Sequence, residues 1–407
     1  MSADHPPTMK TADAVKRPLR IFIIAGEPSG DQLGGHIMAA IRRMAGEDVV
    51  FVGVGGDAMA AQGLASLFPL SDLAIFGIIE VIPHAPRIFR RVRETAAAIT
   101  ATQPDVVLSI DVPAFAFRVL KRIAGQGIPL VHCVAPTVWA WRPRRAKMFA
   151  GFLDHLLALL PFEPPYFEHV GLPTTFIGHP IVETEIGRAD AAAFRARHGI
   201  PMNAKLLCVL PGSRRGETTR LLPIFEETLR LIAKRFPDLH AVVPTVSTVA
   251  DSVRTATAAW PVPATVVMGD QDKYAAFAAA DVALAASGTV ALELSVAGLP
   301  SVIAYKVSGL TAWIVRQMVT VHYASLPNLI LDKPLLPEFI QDRCTPPALA
   351  DAVEDLMLDE GLRRAQIEGG AEVARQLGQG GPSPSERAAR VVLDYARRAR
   401  SRAMTPD

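Results

Sequence analysis

Short apolar runs alternate with helical patterns along nearly the whole chain. A short apolar run predicts a buried strand, and apolar residues spaced three and four positions apart predict a helix. Strands are predicted at residues 19–25, 49–54, 105–110, 130–134, 156–160 and 175–177, and again at 206–210, 241–243, 265–268, 282–286 and 301–305. Strands that alternate with helices are typical of parallel sheets. The pattern therefore predicts an α/β protein with one parallel sheet in each half of the chain.

The length and the break in this pattern predict two domains. The 407 residues exceed what a single hydrophobic core usually organises. We predict a disordered tail over residues 1–20, a first Rossmann-like domain over 21–185, a second over 186–345, and terminal helices over 346–407. Two helices are predicted in that last part, at 347–358 and 385–402. The tail is polar, so it is not predicted to be a signal peptide.

Composition excludes several classes of protein. Hydrophobic residues make up 50% of the chain and the mean hydropathy is +0.25, which predicts an apolar surface, but no apolar run is long enough to span a bilayer. The 3 cysteines lie far apart and lack ligand spacing, which favours a reducing compartment and argues against disulfides and a zinc site. A net charge of +2 carries no general signal for nucleic acid. We therefore expect a cytoplasmic protein.

One strand–turn–helix unit carries the clearest binding signal. After the strand at 282–286, Ser287, Gly288 and Thr289 form a turn that leads into a helical pattern. Bare backbone N–H groups and a positive helix end favour an anion at such a turn. Glu293 lies four residues after Thr289, on the same helix face. A turn that can bind phosphate, followed by a carboxylate that can bind sugar hydroxyls, suits a nucleotide diphosphate sugar. An ordinary helix start and stop explain the same residues.

Two loops at predicted strand ends carry carboxylates. The loop at 26–31 holds Glu27, Ser29 and Asp31, but it lacks both the dinucleotide glycine spacing and a P-loop lysine. Asp111 follows another strand and lies close to a proline. Because the carboxyl ends of parallel strands meet at one edge of a sheet, these groups are predicted to share a ligand cleft. Asp111 is either a turn former or a general base beside a hydroxyl substrate.

A basic turn opens the second half of the chain. Residues 211–217 (PGSRRGE) follow a strand and place Arg214 and Arg215, next to Ser213, beside backbone N–H groups. This arrangement fits a diphosphate clamp, and because a proline and two glycines bracket the arginines, a solvated basic loop is a weaker alternative than usual. Further on, a polar loop at 323–328 ends in Asn328 and is predicted to line the cleft.

Two other segments each allow two interpretations. At 137–142, two tryptophans and an arginine fit either the lip of a pocket for a phosphorylated or lipid ligand or ordinary core packing. At 70–94, an apolar stretch before several arginines fits either a surface that seeks anionic lipid or a buried segment followed by a solvated helix face. The residues concerned are Trp139 and Arg142 in the first segment, and Ile75, Phe76, Ile78, Ile79, Arg90 and Arg91 in the second.

Taken together, the motifs resemble those of the lipid-A-disaccharide synthases. They are residues 25–31 (AGEPSGD), 111–113 (DVP), 137–142 (TVWAWR), 176–180 (FIGHP), 210–214 (LPGSR), 287–293 (SGTVALE) and 325–328 (SLPN). They occur in the family's order and span nearly the whole chain. The resemblance implies a GT-B fold, with two Rossmann-like domains facing a cleft and C-terminal helices that cross back onto the first domain.

The same resemblance implies an activity. A diacylglucosamine would pass from UDP-2,3-diacylglucosamine to the 6-hydroxyl of 2,3-diacylglucosamine 1-phosphate. The anomeric configuration would invert, giving the β-1,6-linked lipid A disaccharide 1-phosphate and UDP, and neither a metal nor another cofactor is expected. The family further implies peripheral contact with the cytoplasmic face of the inner membrane, which favours the lipid-seeking interpretation of 70–94, and in some members a homodimer with exchanged C-terminal helices.

The resemblance also implies roles for individual residues. Asp111 matches the essential aspartate and would be the base for the acceptor hydroxyl. Arg214 matches the arginine at the UDP diphosphate, and Glu293 the carboxylate at the ribose. The other matching residues are Ser213, Ser287, Gly288, Thr289 and Asn328 on the nucleotide side, and Glu27, Ser29, Asp31, Trp139 and Arg142 in the acceptor or cleft loops.

One departure and two alternatives accompany this interpretation. Many members have Asp-Ala-Pro-Asp-Phe-Asn where this chain has DVPAFA at 111–116, so the acceptor contacts of the second aspartate and the asparagine do not carry over. Another GT-B activity, such as a peptidoglycan-precursor transferase or a UDP-sugar epimerase, would lack the motifs at 25–31 and 137–142. A non-catalytic nucleotide or sugar binder would need no carboxylate at Asp111.

Overall fold

The chain is described by a computed structural model that covers residues 17–46, 48–73, 78–141, 143–186, 189–309 and 321–404. The chain divides into two compact units. One consists of the residues up to Val131 together with those from Ala389 onward, and the other of His132–Ala388. The boundary at Val131 falls inside a strand of the first sheet.

The first sheet is parallel in the pairs whose register is resolved, and within the described residues it has seven strands in the order β3-β2-β1-β4-β5-β6-β7. The strands are β1 Leu19–Ala25, β2 Val49–Val54, β3 Ala65–Ser66, β4 Val106–Ile110, β5 Leu130–Cys133, β6 His155–Ala158 and β7 Thr174–Phe176. The helices of this part are α1 Pro28–Ala45, α2 Asp57–Ala61, α3 Ile78–Thr102, α4 Pro113–Ile123, α5 Val138–Trp141, α6 Ala146–Ala150 and α7 Pro165–Glu168.

The second sheet is parallel, with six described strands in the order β10-β9-β8-β11-β12-β13. The strands are β8 Leu206–Leu210, β9 His240–Thr245, β10 Ala264–Met268, β11 Val282–Ala286, β12 Ser301–Tyr305 and β13 Glu338–Ile340. The helices are α8 Ala191–Arg197, α9 Arg215–Ile232, α10 Ala250–Thr257, α11 Asp270–Ala279, α12 Val290–Ala297, α13 Leu326–Leu331, α14 Pro346–Leu358, α15 Glu360–Gln376 and α16 Pro384–Met404.

Both strand orders confirm the predicted Rossmann-like architecture, because each sheet grows outward in both directions from its first strand. Side chains alternate between the faces of the second sheet. Leu207 and Val209 of β8 enter a core with α9 and α14, whereas Leu206 and Cys208 enter a core with α8, α11 and α12. A strand buried on both faces needs a continuous apolar run, which explains why these strands were evident in the sequence.

The sequence pattern missed one helix of the C-terminal region. It predicts two helices after residue 346, whereas the structure has α14, α15 and α16 there. Gly369 and Gly370 interrupt the helical pattern of α15, but each is buried where a Cβ atom would clash, with Leu335 and with the Ser295 backbone respectively. The two glycines therefore permit close packing. No helix in the described ranges combines the length and the apolar character needed to cross a bilayer.

Candidate functional site

A cavity of about 530 Å³ opens at the carboxyl ends of β8, β9, β10 and β11, within one of the two compact units. In a doubly wound sheet, ligands bind at this edge, and the volume suits a small molecule. The residues that line it come from the ends of these strands, the turns after them and the first turns of the following helices: Leu210, Gly212, Ser213, Arg214, Glu217, Pro244, Thr245, Val246, Ser247, Met268, Gly269, Asp270, Lys273, Ala286, Ser287, Gly288, Thr289, Val290 and Glu293.

The turn between β11 and α12 forms one wall of this cavity. The Ser287 N–H donates to the Ala304 carbonyl at 3.0 Å, and its hydroxyl donates to the Ala324 carbonyl at 3.3 Å, so this residue is held on the neighbouring loops. A Cβ atom built on Gly288 meets nothing within 4 Å, which leaves the backbone there open to the cavity. The first bonds of the helix run from the Ala291 N–H to the Gly288 carbonyl and from the Leu292 N–H to the Thr289 carbonyl. The N–H groups of Gly288, Thr289 and Val290 come before these bonds, so this wall offers donors to an anion.

A charge cluster lies beside α12, one turn further along, and consists of the half-buried Lys273 and Glu293 with the exposed Asp270. Nζ of Lys273 lies 3.0 Å from Oε1 of Glu293 and 3.0 Å from Oδ1 of Asp270. Burial raises the pKa of the Glu293 carboxyl, and the charge of Lys273 opposes that rise. Burial lowers the pKa of Lys273, but the two carboxylates and the Tyr274 side chain outweigh it and leave the pKa raised. The cluster therefore combines a charged lysine with a carboxylate that can accept hydroxyl groups.

The turn between β8 and α9 forms the opposite wall. Gly212 has a φ of 104°, and a Cβ atom there would lie 2.5 Å from Oε2 of Glu217, so only glycine fits. Glu217 accepts from the Ser213 N–H at 3.3 Å and pairs with Nη1 of Arg214 at 3.3 Å. The Arg214 side chain is 82% exposed, so it is free to turn toward an anionic ligand in the cavity.

Six of the predicted nucleotide-site residues therefore line one cavity, and one does not. Asn328 lies on α13 and is buried. Its Nδ2 donates to the Leu336 carbonyl and to Oε1 of Glu338, both at 2.9 Å, and its Oδ1 accepts from the Leu336 N–H at 2.8 Å. Glu338 also accepts from the N–H and hydroxyl of Ser325. In this structure, Asn328 holds the segment around α13 together.

Asp111 lies at the carboxyl end of β4, in a strained turn. Asp111 has a φ of 52° and Val112 a φ of 45°, which is a rare conformation for a β-branched residue. Oδ1 of Asp111 accepts from the Val112 N–H at 2.8 Å. Gly26 packs directly on Val112, because a Cβ atom at Gly26 would lie 2.8 Å from Val112 Cγ2. Such strain persists only where the surroundings enforce it, and it is concentrated at functional sites.

In the rest of the loop at 26–31, Asp31 has a structural role. Asp31 is buried, and its carboxylate accepts from the N–H groups of Gly56 at 2.7 Å, Ala58 at 2.9 Å and Met59 at 3.1 Å. It thus caps the first turn of α2 from outside the helix. Glu27 is half-buried just before α1, and Ser29 is exposed at the start of that helix.

Trp139 lies in a core. It is 7% exposed and packs edge-on against Phe162, with ring centroids 5.1 Å apart, and its indole N–H donates to Oε1 of Glu163 at 3.2 Å. Glu163 is itself buried and also accepts from the N–H groups of Leu159 and Leu160. Of the two interpretations for this segment, core packing describes Trp139, while Arg142 lies outside the described residues.

The predicted membrane-facing patch is described only in part. Ile75 and Phe76 lie outside the described residues, and Ile78 and Ile79 are placed in α3 by their backbone alone. The two arginines differ. Arg90 is exposed, whereas Arg91 donates from Nε to Asp72 at 2.9 Å and from Nη1 to Glu94 at 2.6 Å, and its guanidinium lies over the Phe68 ring at 4.4 Å. Arg91 therefore ties the middle of α3 to the segment at 68–72 that precedes the helix.

The sequence reasoning assigned no role to several polar residues of the cavity, among them Lys273, Glu217 and Thr245. Lys273 lies on α11, three residues after Asp270, and nothing local marks it as a partner of Glu293. Glu217 is the last residue of the basic turn at 211–217, but the sequence analysis gave it no role of its own. Thr245 is the last residue of β9, and its position at a strand end was the one signal available.

Comparison with known proteins places the chain in a family. The sequence pattern described as Lipid-A-disaccharide synthetase matches residues 21–390. The chain is 56% identical to a lipid-A-disaccharide synthase from Rhodospirillum centenum, over 93% of this chain and 95% of that one. It is 50% identical to one from Paramagnetospirillum magneticum, over 93% of this chain and 97% of that one.

Solved structures resemble it in fold. MurG from Acinetobacter baumannii has a TM-score of 0.56 at 14% identity, covering 93% of this chain and all of that one (100%). The UDP-GlcNAc 2-epimerase from Neisseria meningitidis bound to UDP-GlcNAc has a TM-score of 0.59 at 11% identity, covering 93% and 99%. These likenesses show the GT-B type of fold alone. The family match and the high identity to its members over nearly the whole chain show that this chain belongs to the lipid-A-disaccharide synthetase family.

Proposed function

We propose that the chain transfers a diacylglucosamine from UDP-2,3-diacylglucosamine to the 6-hydroxyl of 2,3-diacylglucosamine 1-phosphate. The products are the β-1,6-linked disaccharide 1-phosphate and UDP, formed with inversion at the anomeric carbon. Membership of the family makes this chain a glycosyltransferase of lipid A disaccharide synthesis. The substrates, the inversion and the residue roles are the proposal.

The observation that carries the proposal is the composition of the cavity. The open backbone at Gly288, the N-terminus of α12 and the exposed Arg214 supply donors and positive charge on two walls. Glu293 supplies acceptors one helical turn away. A nucleoside diphosphate needs donors and acceptors in its site, because its phosphates accept hydrogen bonds and its ribose hydroxyls donate them.

Departure of UDP places negative charge on the diphosphate in the transition state. Arg214 and the α12 N-terminus would stabilise that charge. Groups that stabilise charge more strongly in the transition state than in the ground state accelerate the reaction. The acceptor hydroxyl must lose a proton as it attacks. Asp111 is the proposed base, because its carboxylate lies in an enforced turn at a strand end and one oxygen is already oriented by the Val112 N–H.

The acyl chains of both substrates require contact with a membrane. We assign this contact to the cytoplasmic face of the inner membrane, to which the protein would attach peripherally. The transfer itself is proposed to need no metal. The exposed Phe89 and Arg90 on α3 are the described residues that favour it, since an apolar ring beside a cation suits an anionic lipid surface. A homodimer with exchanged C-terminal helices remains part of the same proposal.

The test is UDP release by the purified protein in mixed micelles. Release should require both lipid substrates and should give a disaccharide 1-phosphate. Asp111→Asn should lose turnover and keep UDP binding, whereas Arg214→Ala should weaken UDP binding. Arg215→Ala is the matched control, because Arg215 is also exposed and lies outside the cavity lining.

Three results would contradict the proposal in different ways. UDP release without the acceptor would indicate hydrolysis or epimerisation. Tight UDP binding without release would indicate a different acceptor or a binding protein. Near-normal turnover of Asp111→Asn would leave the transfer in place and remove Asp111 as its base.

A further inference from the structure

One residue of the cavity has a buried hydroxyl with no hydrogen-bond partner in the part of the chain that the structure describes. Thr245 ends β9, lines the cavity and is 9% exposed. Its Oγ1 is buried and has no hydrogen-bond partner among the described residues. Buried polar groups are nearly always paired, because leaving one unpaired costs free energy. The hydroxyls of Ser287 and Thr248, by contrast, already donate to backbone carbonyls.

The register of the sheet shows what lies beside this hydroxyl. Cys208 of β8 pairs with Val242 of β9, so Thr245 lies level with the first residues of the turn at 211–214. On its other side it pairs with Met268 of β10. The loop after β9 is tied to the same turn, since the Thr248 hydroxyl donates to the Ser213 carbonyl at 3.2 Å. Thr245 therefore lies next to the wall that carries Arg214.

We propose that the Thr245 hydroxyl donates a hydrogen bond to the diphosphate of the nucleotide ligand. The inference rests on the proposed function, because it assumes a uridine diphosphate group in this cavity. A phosphate oxygen is a strong acceptor, and hydrogen bonds to charged groups are stronger than those between neutral groups. Among the described residues, no existing bond of this hydroxyl has to break first, so binding gains the new bond without losing an old one.

The same observation predicts opposite effects on stability and binding. Thr245→Val keeps the shape and removes the hydroxyl. Because the hydroxyl has no hydrogen-bond partner within the described ranges, its removal should leave the melting temperature unchanged or raise it. UDP affinity should fall about tenfold or more, as expected for a lost hydrogen bond to a charged group. A residue with only a packing role would not show this combination.

The experiment measures binding of UDP and of uridine, which has no phosphate, to four proteins by calorimetry or NMR titration. These are the wild type, Thr245→Val, Thr245→Ser and Ser301→Ala. Ser301 is the matched control, because its buried hydroxyl is also unpaired among the described residues but lies outside the cavity lining. Only Thr245→Val should lose UDP affinity, Thr245→Ser should retain most of it, and uridine should bind all four equally.

Two outcomes would overturn the inference. Wild-type UDP affinity in Thr245→Val would show that the hydroxyl makes no contact. An equal loss for UDP and uridine would place the contact on the nucleoside and not on the diphosphate. Failure of the wild type to bind UDP would instead overturn the proposed function, so the two failures are distinguishable.

Discussion

Nζ of Lys273 lies 3.0 Å from Oε1 of Glu293, across the gap between α11 and α12. Asp270 lies on the other side of the same ammonium at 3.0 Å. Burial raises the pKa of Glu293, the charge of Lys273 lowers it, and Asp270 adds to the rise. The lysine thus favours the ionised form of a carboxylate that burial would otherwise tend to protonate.

Lys273→Met should weaken recognition of the ribose in a pH-dependent manner. Without the ammonium, the pKa of Glu293 rises further, so a larger fraction of the carboxyl is protonated at a given pH. The measurement is the ratio of affinities for UDP and 2′,3′-dideoxy-UDP, in which the titration of the phosphate cancels. As the pH falls, the preference for UDP should disappear at a higher pH in Lys273→Met than in the wild type.

Lys273→Arg is the matched control, because it keeps the charge beside Glu293. It should retain the wild-type pH profile even if the affinity changes slightly. A profile that is the same in all three proteins would show that Lys273 does not set the charge of Glu293.

Gly26→Ala should reduce turnover without affecting UDP binding. The added methyl would lie 2.8 Å from Val112 Cγ2, so Val112 must move, and Asp111 with it. A misplacement of a catalytic group by about 1 Å can cost about 100-fold in rate. The measurement is kcat for the transfer alongside the dissociation constant for UDP.

A second-site change distinguishes this mechanism from general damage. Val112→Ala removes both γ carbons that approach Gly26, so the double variant Gly26→Ala/Val112→Ala should recover part of the lost turnover. No recovery, or a double variant slower than Gly26→Ala alone, would mean that the contact does not position Asp111.

Asn328→Ala should mainly destabilise the protein. It removes three hydrogen bonds and leaves the Leu336 N–H and carbonyl unpaired, which should cost about 2–4 kcal/mol of the free energy of unfolding. Chemical denaturation measures this, with the exposed Asn203→Ala as the control. A large loss of UDP affinity at unchanged stability would instead support a direct contact of Asn328 with the nucleotide.

Glu163 should make the stability of the protein depend on pH. Burial raises the pKa of its carboxyl. The three hydrogen bonds that it accepts lower the pKa but offset only part of this rise, so the pKa is raised to about 7. The folded state therefore binds a proton more tightly than the unfolded state, so this contribution to stability is present at low pH and is lost as the pH rises to about 7. Relative to Glu163→Gln, the wild type should lose up to about 3 kcal/mol between pH 5 and pH 8. Equal pH profiles of the two proteins would contradict the raised pKa.

Much of this molecule could be predicted from local patterns. The strands at 19–25, 206–210, 282–286 and 301–305 have the predicted limits, because a strand buried on both faces is a continuous apolar run bounded by turn residues. The turn at Ser287 and the position of Glu293 followed from the spacing along a single helix. In contrast, α15 was missed because its glycines look like interruptions unless the partner against which they pack is known.

By itself, the sequence determined the two parallel sheets, the edge of the second sheet that carries the cavity, and the family, because each of these depends on residues that are close together or on motifs in a given order. Only the tertiary structure decided which polar side chains face the cavity. It placed Asp31, Asn328 and Trp139 in buried hydrogen bonds and brought Lys273 to Glu293. It also left the Thr245 hydroxyl without a hydrogen-bond partner among the residues described. These outcomes depend on how helices and loops pack across the sheet, and a side chain's partners there are not encoded by its neighbours in the chain.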